Sequence, residues 1–234
     1  VEAKPSEETP LIALAYARIL DEAGLPPGVV NVVTGFGKDC GDPLVRHADI
    51  QAIAFTGSTN VGRAIGAVAA DHLKRVQLEL GGKNPLIILA DYDPEEAASQ
   101  AVVGSFSHGG QICMSSSRIL VEAPLMDAFC AAFKRRCESL KLGDLRDPET
   151  AFGPLIHEGA LRKVQAHVKA AIDGGAELLT GGEVHDGLRY RPTVMVRPPL
   201  DNTILTDETF GPVTSVVPIN SADEAVKLAN DTEF

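Results

Sequence analysis

The feature that most constrains the fold is a regular alternation of strand and helix signals along the first half of the chain. Helix signals cover Pro10–Ala23 and Val61–Ala70, and Gly24 ends the first of them. Short apolar runs at Val29–Val33 and Ile50–Phe55 indicate strands. Because parallel strands are joined by crossover connections that are usually helical, this order predicts a parallel sheet with helices on both faces.

The same pattern continues, more loosely, to the end of the chain. Further helices are predicted over Asp93–Phe106, Leu125–Leu140, Glu158–Gly174 and Ala222–Asn230. Further strands are predicted over Arg75–Leu80, Pro85–Ala90, Arg118–Glu122, Glu177–Leu179, Thr193–Val196 and Thr214–Ile219. We expect a boundary between two α/β domains near residues 81–90, and we assign residues 1–82 to the first domain and residues 83–234 to the second.

The net charge and the hydrophobic content of the chain limit the kinds of molecule that it is expected to bind. The 234 residues are 44% hydrophobic, which is enough for a sizeable core, and the net charge is −11. An acidic chain without a basic stripe disfavours nucleic acid and anionic membrane surfaces as partners. No stretch approaches the roughly 18 consecutive apolar residues of a membrane-spanning helix. A small anionic cofactor remains compatible with this charge, because it needs only a local site.

The four cysteines show no CxxC spacing, so neither a zinc ribbon nor a redox dithiol is predicted, and we expect no metal site. Cys130 and Cys137 share one face of a predicted helix with Met126 and Phe133, which indicates core packing. This cysteine usage favours a reducing, cytoplasmic location.

Two segments carry chemistry: Glu79-Leu80-Gly81-Gly82-Lys83, and Gly110-Gln111-Ile112-Cys113. A thiol can add to a carbonyl, and a carboxylate can activate the water that later releases the product. Small residues after Cys113 are expected to begin a helix whose N-terminus lowers the thiol pKa. Leu78 and Leu80 are expected to desolvate Glu79 and raise its pKa. From the residues alone, an inert buried thiol and an exposed strand-end glutamate remain open alternatives.

A turn at Thr56-Gly57-Ser58-Thr59 lies between a predicted strand and a predicted helix. Backbone N–H groups at such a helix start can hold a diphosphate, and the Ser58 hydroxyl adds a donor. The spacing from Gly57 to Gly62 imitates a phosphate-binding loop of nucleotide hydrolases, but Arg63 and Ala64 replace its lysine and serine or threonine. Nucleotide hydrolysis is therefore rejected. The dinucleotide fingerprint GxGxxG is also absent, and Gly35-Phe36-Gly37 alone is a weak signal.

Taken together, these segments resemble the NAD(P)-dependent aldehyde dehydrogenases. That family carries Glu-Leu-Gly-Gly-Lys, Gly-Gln-x-Cys and Glu-x-Phe-Gly-Pro, which are matched here at Glu79–Lys83, Gly110–Cys113 and Glu208–Pro212. The resemblance runs in order along essentially all 234 residues. It implies an α/β fold in which part of a Rossmann-like cofactor domain is followed by an α/β catalytic domain. It also implies that Cys113 is the nucleophile and Glu79 the general base.

The resemblance further implies an NAD site, since the family binds its dinucleotide without GxGxxG. The residues it assigns to the cofactor are Lys4, Glu7, Gly37, Gly57, Ser58, Gly62, Leu80, Glu208 and Phe210. Lys4 and Glu7 would bond the adenosine ribose, and Glu208 the nicotinamide ribose. Because a carboxylate at the ribose repels a 2′-phosphate, Glu7 favours NAD over NADP.

The chain is about half as long as a typical member of this family, begins without methionine and stops just after a predicted helix. We therefore expect an excerpt that lacks the first strands of the cofactor domain and the asparagine of the oxyanion hole. The parent is expected to oxidise an aldehyde to a carboxylic acid with NAD, as a homodimer or homotetramer. The surroundings Ile112-Cys113-Met114 hint at benzaldehyde-like substrates, as in benzaldehyde, salicylaldehyde and vanillin dehydrogenases.

Two alternatives stay open. In a CoA-acylating relative, CoA rather than water would take the acyl group, and the presence of Glu79 argues against it. A non-catalytic dinucleotide-binding or assembly fragment would fit the truncated ends.

Overall fold

Two separately packed units, Val1–Leu80 and Gly81–Phe234, make up the chain in a computed structural model that describes residues 1–234. The strands of the first unit are β1 (Glu2–Ala3), β2 (Asn31–Val32), β3 (Ala52–Thr56) and β4 (Arg75–Glu79). Its helices are α1 (Pro10–Glu22), α2 (Asp42–Arg46) and α3 (Thr59–Asp71), and a π-helical turn covers Gly37–Gly41.

The first unit contains parallel strand pairs rather than one continuous sheet. β1 pairs with β2 and β3 pairs with β4, both in parallel, as two separate two-stranded sheets. Its buried hydrophobic side chains are Ile65 and Ala69, both on α3, whereas α1 buries none of its residues. Parallel pairing is as predicted, but the single sheet expected from the alternation is not present within this unit.

The second unit is built around one larger sheet. Its strands are β5 (Asn84–Ile88), β6 (Ser116–Glu122), β7 (Glu177–Thr180), β8 (Val184–Asp186), β9 (Arg189–Tyr190), β10 (Thr193–Val196) and β11 (Val213–Ile219). Its helices are α4 (Pro94–Phe106), α5 (Met126–Glu138), α6 (Glu158–Asp173), α7 (Thr203–Thr206) and α8 (Ala222–Asn230). The five-stranded sheet has the order β5-β6-β11-β10-β7, with β7 antiparallel and the other pairings parallel.

Helices cover both faces of this sheet, and the alternation along β6 shows why. Ile119 and Val121 belong to a core shared with α4 and α5, while Leu120 belongs to a second core shared with α6 and α8. Successive side chains of a strand point to opposite faces, so a strand covered on both sides reads as a continuous apolar run. The observed architecture is the mixed α/β fold that the alternation predicts.

The β5–β6 pairing contains a β-bulge close to the cysteine segment. Asn84 pairs with Ser116, but Pro85 pairs with Arg118, so Ser117 has no partner residue on β5. Proline lacks an N–H for the sheet ladder and is tolerated at such irregular positions. Bulges re-aim side chains and are frequent beside functional sites.

The predicted helices and main strands are confirmed, with ends shifted by a few residues. The sequence patterns missed α2, the short α7 and the hairpin of β8 and β9. The predicted core role of two cysteines is also confirmed: burial raises the pKa of the Cys137 thiol to about 12, and Cys130 packs against the same core. None of the helices is both long and apolar enough to cross a membrane.

Candidate functional site

The backbone before Cys113 is held in an unusual conformation. His108, Gly109 and Gly110 all have positive φ, at 53°, 63° and 70°. At Gly110, an added Cβ would overlap the carbonyl group of Gly211. Glycine is therefore required there for two reasons, the left-handed backbone and the close approach of another segment. This approach brings the cysteine segment against the segment Glu208–Pro212.

The side chain of Gln111 connects the turn before Cys113 to the loop at Pro154–Ile156 by hydrogen bonds. Its side-chain amide donates to the carbonyl of Pro154 at 3.2 Å, and its Oε1 accepts the backbone N–H of Ile156 at 3.0 Å. An amide that both donates and accepts fixes its own rotamer and both backbone segments. The glutamine of the Gly-Gln-x-Cys motif thus has a structural task beside the thiol.

Asn84 holds the backbone on the other side of Cys113. Its Nδ2 donates to the carbonyl of Cys113 at 2.6 Å and to that of Ser115 at 3.2 Å. Cys113 itself is exposed, as a reactive thiol must be. The chain around it is fixed from two sides while its side chain remains accessible.

The segment after Cys113 corrects one expectation. It does not begin a helix; a turn leads directly into β6 at Ser116, which pairs with β5 and then with β11. Sheet pairing decides this conformation, so no helix N-terminus follows the thiol. Cys113 lines a small open pocket together with Gly82, Asn84, Gly110, Ile112, Ser115, Ser117, Glu208, Thr209, Phe210, Gly211 and Val213.

Glu208 reaches the glycine pair that follows Leu80. Its Oε1 accepts the backbone N–H of Gly82 at 3.2 Å, and its carboxylate occupies the space that a Cβ on Gly81 would need. The neighbouring Phe210 is exposed and has a φ of 55°, which is rare for a residue with a bulky side chain. Glu208 and Phe210 thus lie at the Cys113 pocket.

Lys83 is a buried charged residue that the sequence patterns did not single out. Burial and the charge of Arg118 lower its pKa to about 7, against the opposing effect of Asp207. Arg118 donates to the carbonyl of Lys83 and to the last carbonyls of α8, at Leu228 and Ala229. This arginine therefore links the start of β5 to the C-terminal end of α8, where a cation is favoured.

In the first unit, the structure brings together three residues predicted to bind the cofactor. Lys4 Nζ donates to Glu7 at 3.2 Å and to the carbonyl of Gly35 at 3.0 Å. Hydrogen bonds from its own backbone amide, then from Lys4 and from the backbone of Gly37, lower the pKa of Glu7. Lys4, Glu7 and Gly37 thus form one polar cluster.

Four more of the predicted residues meet where β3 and β4 end. Ser58 is the N-cap of α3 and accepts the N–H of Val61 at 3.4 Å. Gly57 donates its N–H to the carbonyl of Glu79 at 3.0 Å. Gly62 lies directly under Leu80, whose side chain occupies the place of a Cβ. These residues lie at the carboxyl ends of parallel strands, where α/β proteins bind ligands.

The Glu79 side chain differs from the sequence expectation. It is exposed, and its carboxylate accepts a hydrogen bond from Gln77 at 3.4 Å. Its strand neighbour Leu78 points to the opposite face of β4, because side chains alternate along a strand. The expected desolvation by leucine is therefore not present in this chain.

Comparison with known proteins identifies the family to which this arrangement belongs. The sequence profile described as the aldehyde dehydrogenase family matches residues 1–234. The chain belongs to the aldehyde dehydrogenase family. A 2-hydroxymuconic semialdehyde dehydrogenase of Pseudomonas putida is 41% identical over 242 residues, covering 100% of this chain and 50% of that protein.

Two solved structures of relatives show the same fold. An NAD-dependent aldehyde dehydrogenase from Sinorhizobium meliloti is 43% identical with a TM-score of 0.97, over 100% of this chain and 47% of that one. An NADP-dependent enzyme of E. coli is 36% identical with a TM-score of 0.97, over 100% of this chain and 49% of that one. The chain thus spans about half the length of the relatives it matches.

Some residues around Cys113 were not singled out by the sequence patterns. Asn84 follows the glycine motif directly but was assigned no task, and Gln111 was used only as part of a motif. Gly211 was matched only as part of the Glu-x-Phe-Gly-Pro motif, whereas its carbonyl lies against Gly110 and its missing Cβ leaves room for the side chain of Val164. Two signals in the sequence could have identified such residues. One is a polar residue directly after a glycine motif, as at Asn84, and the other is a glycine directly after an aromatic residue, as at Gly211.

Proposed function

We propose that the protein containing this chain oxidises an aldehyde to a carboxylic acid with NAD, using Cys113 as nucleophile and Glu79 as general base. The observation that carries the proposal is the exposed Cys113 thiol at a pocket whose backbone is fixed by Asn84 and Gln111. Such positioning supports nucleophilic catalysis, because the reacting atom is held in place before the substrate arrives.

The residues present fit a dinucleotide. In the first unit, the Lys4–Glu7 pair offers a cation and a carboxylate for ribose hydroxyls, and the N-terminus of α3 at Ser58 offers backbone donors for a diphosphate. In the second unit, Glu208 and Phe210 would hold the nicotinamide ribose. We accordingly assign the first unit to cofactor binding and the second to catalysis. NAD is favoured over NADP, since the carboxylate of Glu7 opposes a 2′-phosphate.

The chemistry begins with the Cys113 thiolate, which adds to the carbonyl carbon of the aldehyde and forms a thiohemiacetal. NAD, when bound, supplies the hydride acceptor that converts this adduct into a thioester. Glu79 then takes a proton from water as the water attacks the thioester, and cleavage of the C–S bond releases the carboxylic acid and restores the Cys113 thiolate. An exposed carboxylate suits this step because it has direct access to water.

Substrate, assembly and location belong to the same proposal. An aromatic aldehyde is suggested by the Ile112-Cys113-Met114 surroundings, and the family resemblance suggests a homodimer or homotetramer. A reducing cytoplasm is suggested by the free state of the four cysteines.

The first test replaces the thiol in the intact protein that contains this chain. Cys113→Ala should abolish NADH formation from aldehydes while leaving NAD affinity within about twofold, since the cofactor residues are untouched. Cys130→Ala serves as the matched control and should retain turnover, because that thiol packs against the core. Substantial turnover in purified Cys113→Ala would refute the nucleophile assignment.

The second test separates formation from hydrolysis of the thioester. Glu79→Gln keeps the size of the side chain but cannot accept a proton. Rapid mixing of this variant with NAD and aldehyde should give an NADH burst of about one equivalent per site, followed by slow turnover. Equal slowing of burst and steady state would contradict the base assignment. Recovery of turnover on adding CoA would identify a CoA-acylating enzyme instead.

A further inference from the structure

The segment from Asp207 to Pro212 is held in a conformation that its own sequence does not favour. Phe210 has a φ of 55°, in the left-handed region that bulky residues avoid. Such a residue persists only where the surrounding structure holds it in place. The two residues of this segment proposed to bind the cofactor, Glu208 and Phe210, flank Thr209. Thr209 is only 4% exposed, so its side chain points into the protein.

Helix α6 holds the segment on both sides of Phe210. Nδ1 of His167 lies 3.0 Å from the hydroxyl oxygen of Thr209, which is within hydrogen-bond distance. One turn earlier on the same helix, the side chain of Val164 packs on Gly211, where an added Cβ would overlap it. Residues three apart share one face of a helix. One face of α6 therefore fixes the residue before Phe210 and the residue after it.

We propose that His167, acting through Thr209, is a positioning residue that orders Glu208 and Phe210 for the nicotinamide half of the cofactor. This inference rests on the proposed function, because it takes Glu208 and Phe210 as cofactor-binding residues. His167 itself does not touch the reacting atoms.

The surroundings of His167 favour its neutral ring. Lys163 faces it from the same helix, Lys83 faces it from the start of β5, and Asp207 opposes them from the ordered segment. Burial first, and the two lysines next, lower its pKa below the ordinary value of 6.5. A neutral imidazole has one nitrogen that accepts and one that donates, so either tautomer can pair with the threonine hydroxyl.

Protonation of His167 would make both ring nitrogens donors, so the ring could no longer accept a hydrogen bond from the Thr209 hydroxyl. It would also place a third positive charge beside Lys163 and Lys83. Because the pKa is lowered in the folded protein, the contribution of His167 is complete above the ordinary value of 6.5 and is lost as the pH falls through the lowered pKa of the folded protein. The order of the segment, and with it the affinity for NAD, should therefore weaken at mildly acidic pH.

The test uses the intact protein with Thr209→Val, which keeps the shape but removes the hydroxyl, and Thr209→Ser, which keeps the hydroxyl. Thr209→Val should weaken NAD binding about fivefold, the effect expected for one lost hydrogen bond, with less than twofold change in KM for the aldehyde. Thr209→Ser should remain within twofold of the wild type. In the cofactor-free protein, amide hydrogen exchange over residues 207–212 should be faster in Thr209→Val than in the wild type, and unchanged in Thr209→Ser.

Substitutions at His167 test the same proposal independently of the Thr209 variants. His167→Phe should reproduce the effect of Thr209→Val, and combining the two should cost no more than either alone. His167→Asn places an uncharged amide near Nδ1 and should keep near-normal NAD affinity, without the weakening that the wild type shows as the pH falls through the lowered pKa of His167. The matched control His185→Phe, on exposed β8, should change nothing.

The experiments distinguish failure of the inference about His167 from failure of the proposed cofactor site. Unchanged exchange and unchanged NAD affinity in both Thr209→Val and His167→Phe would overturn the role of His167, provided that the wild type binds NAD. If His167→Phe does not fold, the valine and serine variants decide alone. A wild type that binds no NAD, or a Glu208→Ala variant that binds it as well as the wild type does, would overturn the assignment of the cofactor site on which the inference rests.

Discussion

Gly110 offers the sharpest test of how the cysteine segment is built, because two separate effects meet at one residue. Its φ is 70°, and a Cβ there would overlap the carbonyl of Gly211. Gly110→Ala therefore forces an L-residue into the left-handed region and also pushes two backbone segments apart. Both effects act directly before Cys113.

The structure contains a control that isolates the first effect. Gly175, which follows α6, has a φ of 96°, but a Cβ added there would meet nothing within 4 Å. Gly175→Ala should cost about 1 kcal/mol, the usual penalty of a left-handed L-residue. Gly110→Ala should add about 1–3 kcal/mol for the forced movement of packed backbone, which makes about 2–4 kcal/mol in all.

Urea unfolding of the two variants and the wild type measures these free energies, and the rate of thiol labelling at Cys113 reports the local change. Gly110→Ala should unfold at clearly lower urea than Gly175→Ala and should also lose most aldehyde turnover, since the thiol moves with the segment. Equal destabilisation by the two substitutions would show that the approach of Gly211 is not a real constraint.

Three further outcomes are expected. Asn84→Ala leaves the carbonyls of Cys113 and Ser115 without this donor and should destabilise by about 1–3 kcal/mol in urea unfolding; an effect below 0.5 kcal/mol would mean that water replaces the amide. Glu7→Ser should narrow the preference for NAD over NADP, measured as the ratio of kcat/KM values; a wild type that prefers NADP would contradict the reasoning from charge. The isolated 234-residue polypeptide should show no measurable aldehyde oxidation, because its first unit buries almost no hydrophobic side chains; NADH production within tenfold of the intact protein would refute this.

Local patterns along the chain were enough to predict the main helices and strands and to recognise the family. The alternation of strands and helices predicted a mixed α/β fold, and the helical spacing of Cys130 and Cys137 predicted their place against the core. Motifs of four or five residues were enough to recognise the aldehyde dehydrogenase family. These signals succeed because backbone propensity and burial on one face act between residues that are near in sequence.

The environment of each motif was decided by the tertiary structure. Leucine neighbours suggested a desolvated Glu79, yet alternation along β4 turns Leu78 away and leaves the carboxylate exposed. Small residues suggested a helix after Cys113, yet pairing with β5 and β11 makes that segment a strand. In both places the outcome depended on what lies across the sheet, which a local pattern does not contain.

The chain by itself determined its α/β class, its main elements and its family, because each of these follows from the order and spacing of residues. Only the tertiary structure placed Glu208 on the amide of Gly82, 126 residues away, and Asn84 on the carbonyl of Cys113, 29 residues away. The physical reason is that a hydrogen bond depends on distances of about 3 Å between atoms. Such distances between remote residues arise only after the sheet has paired and the helices have packed on it.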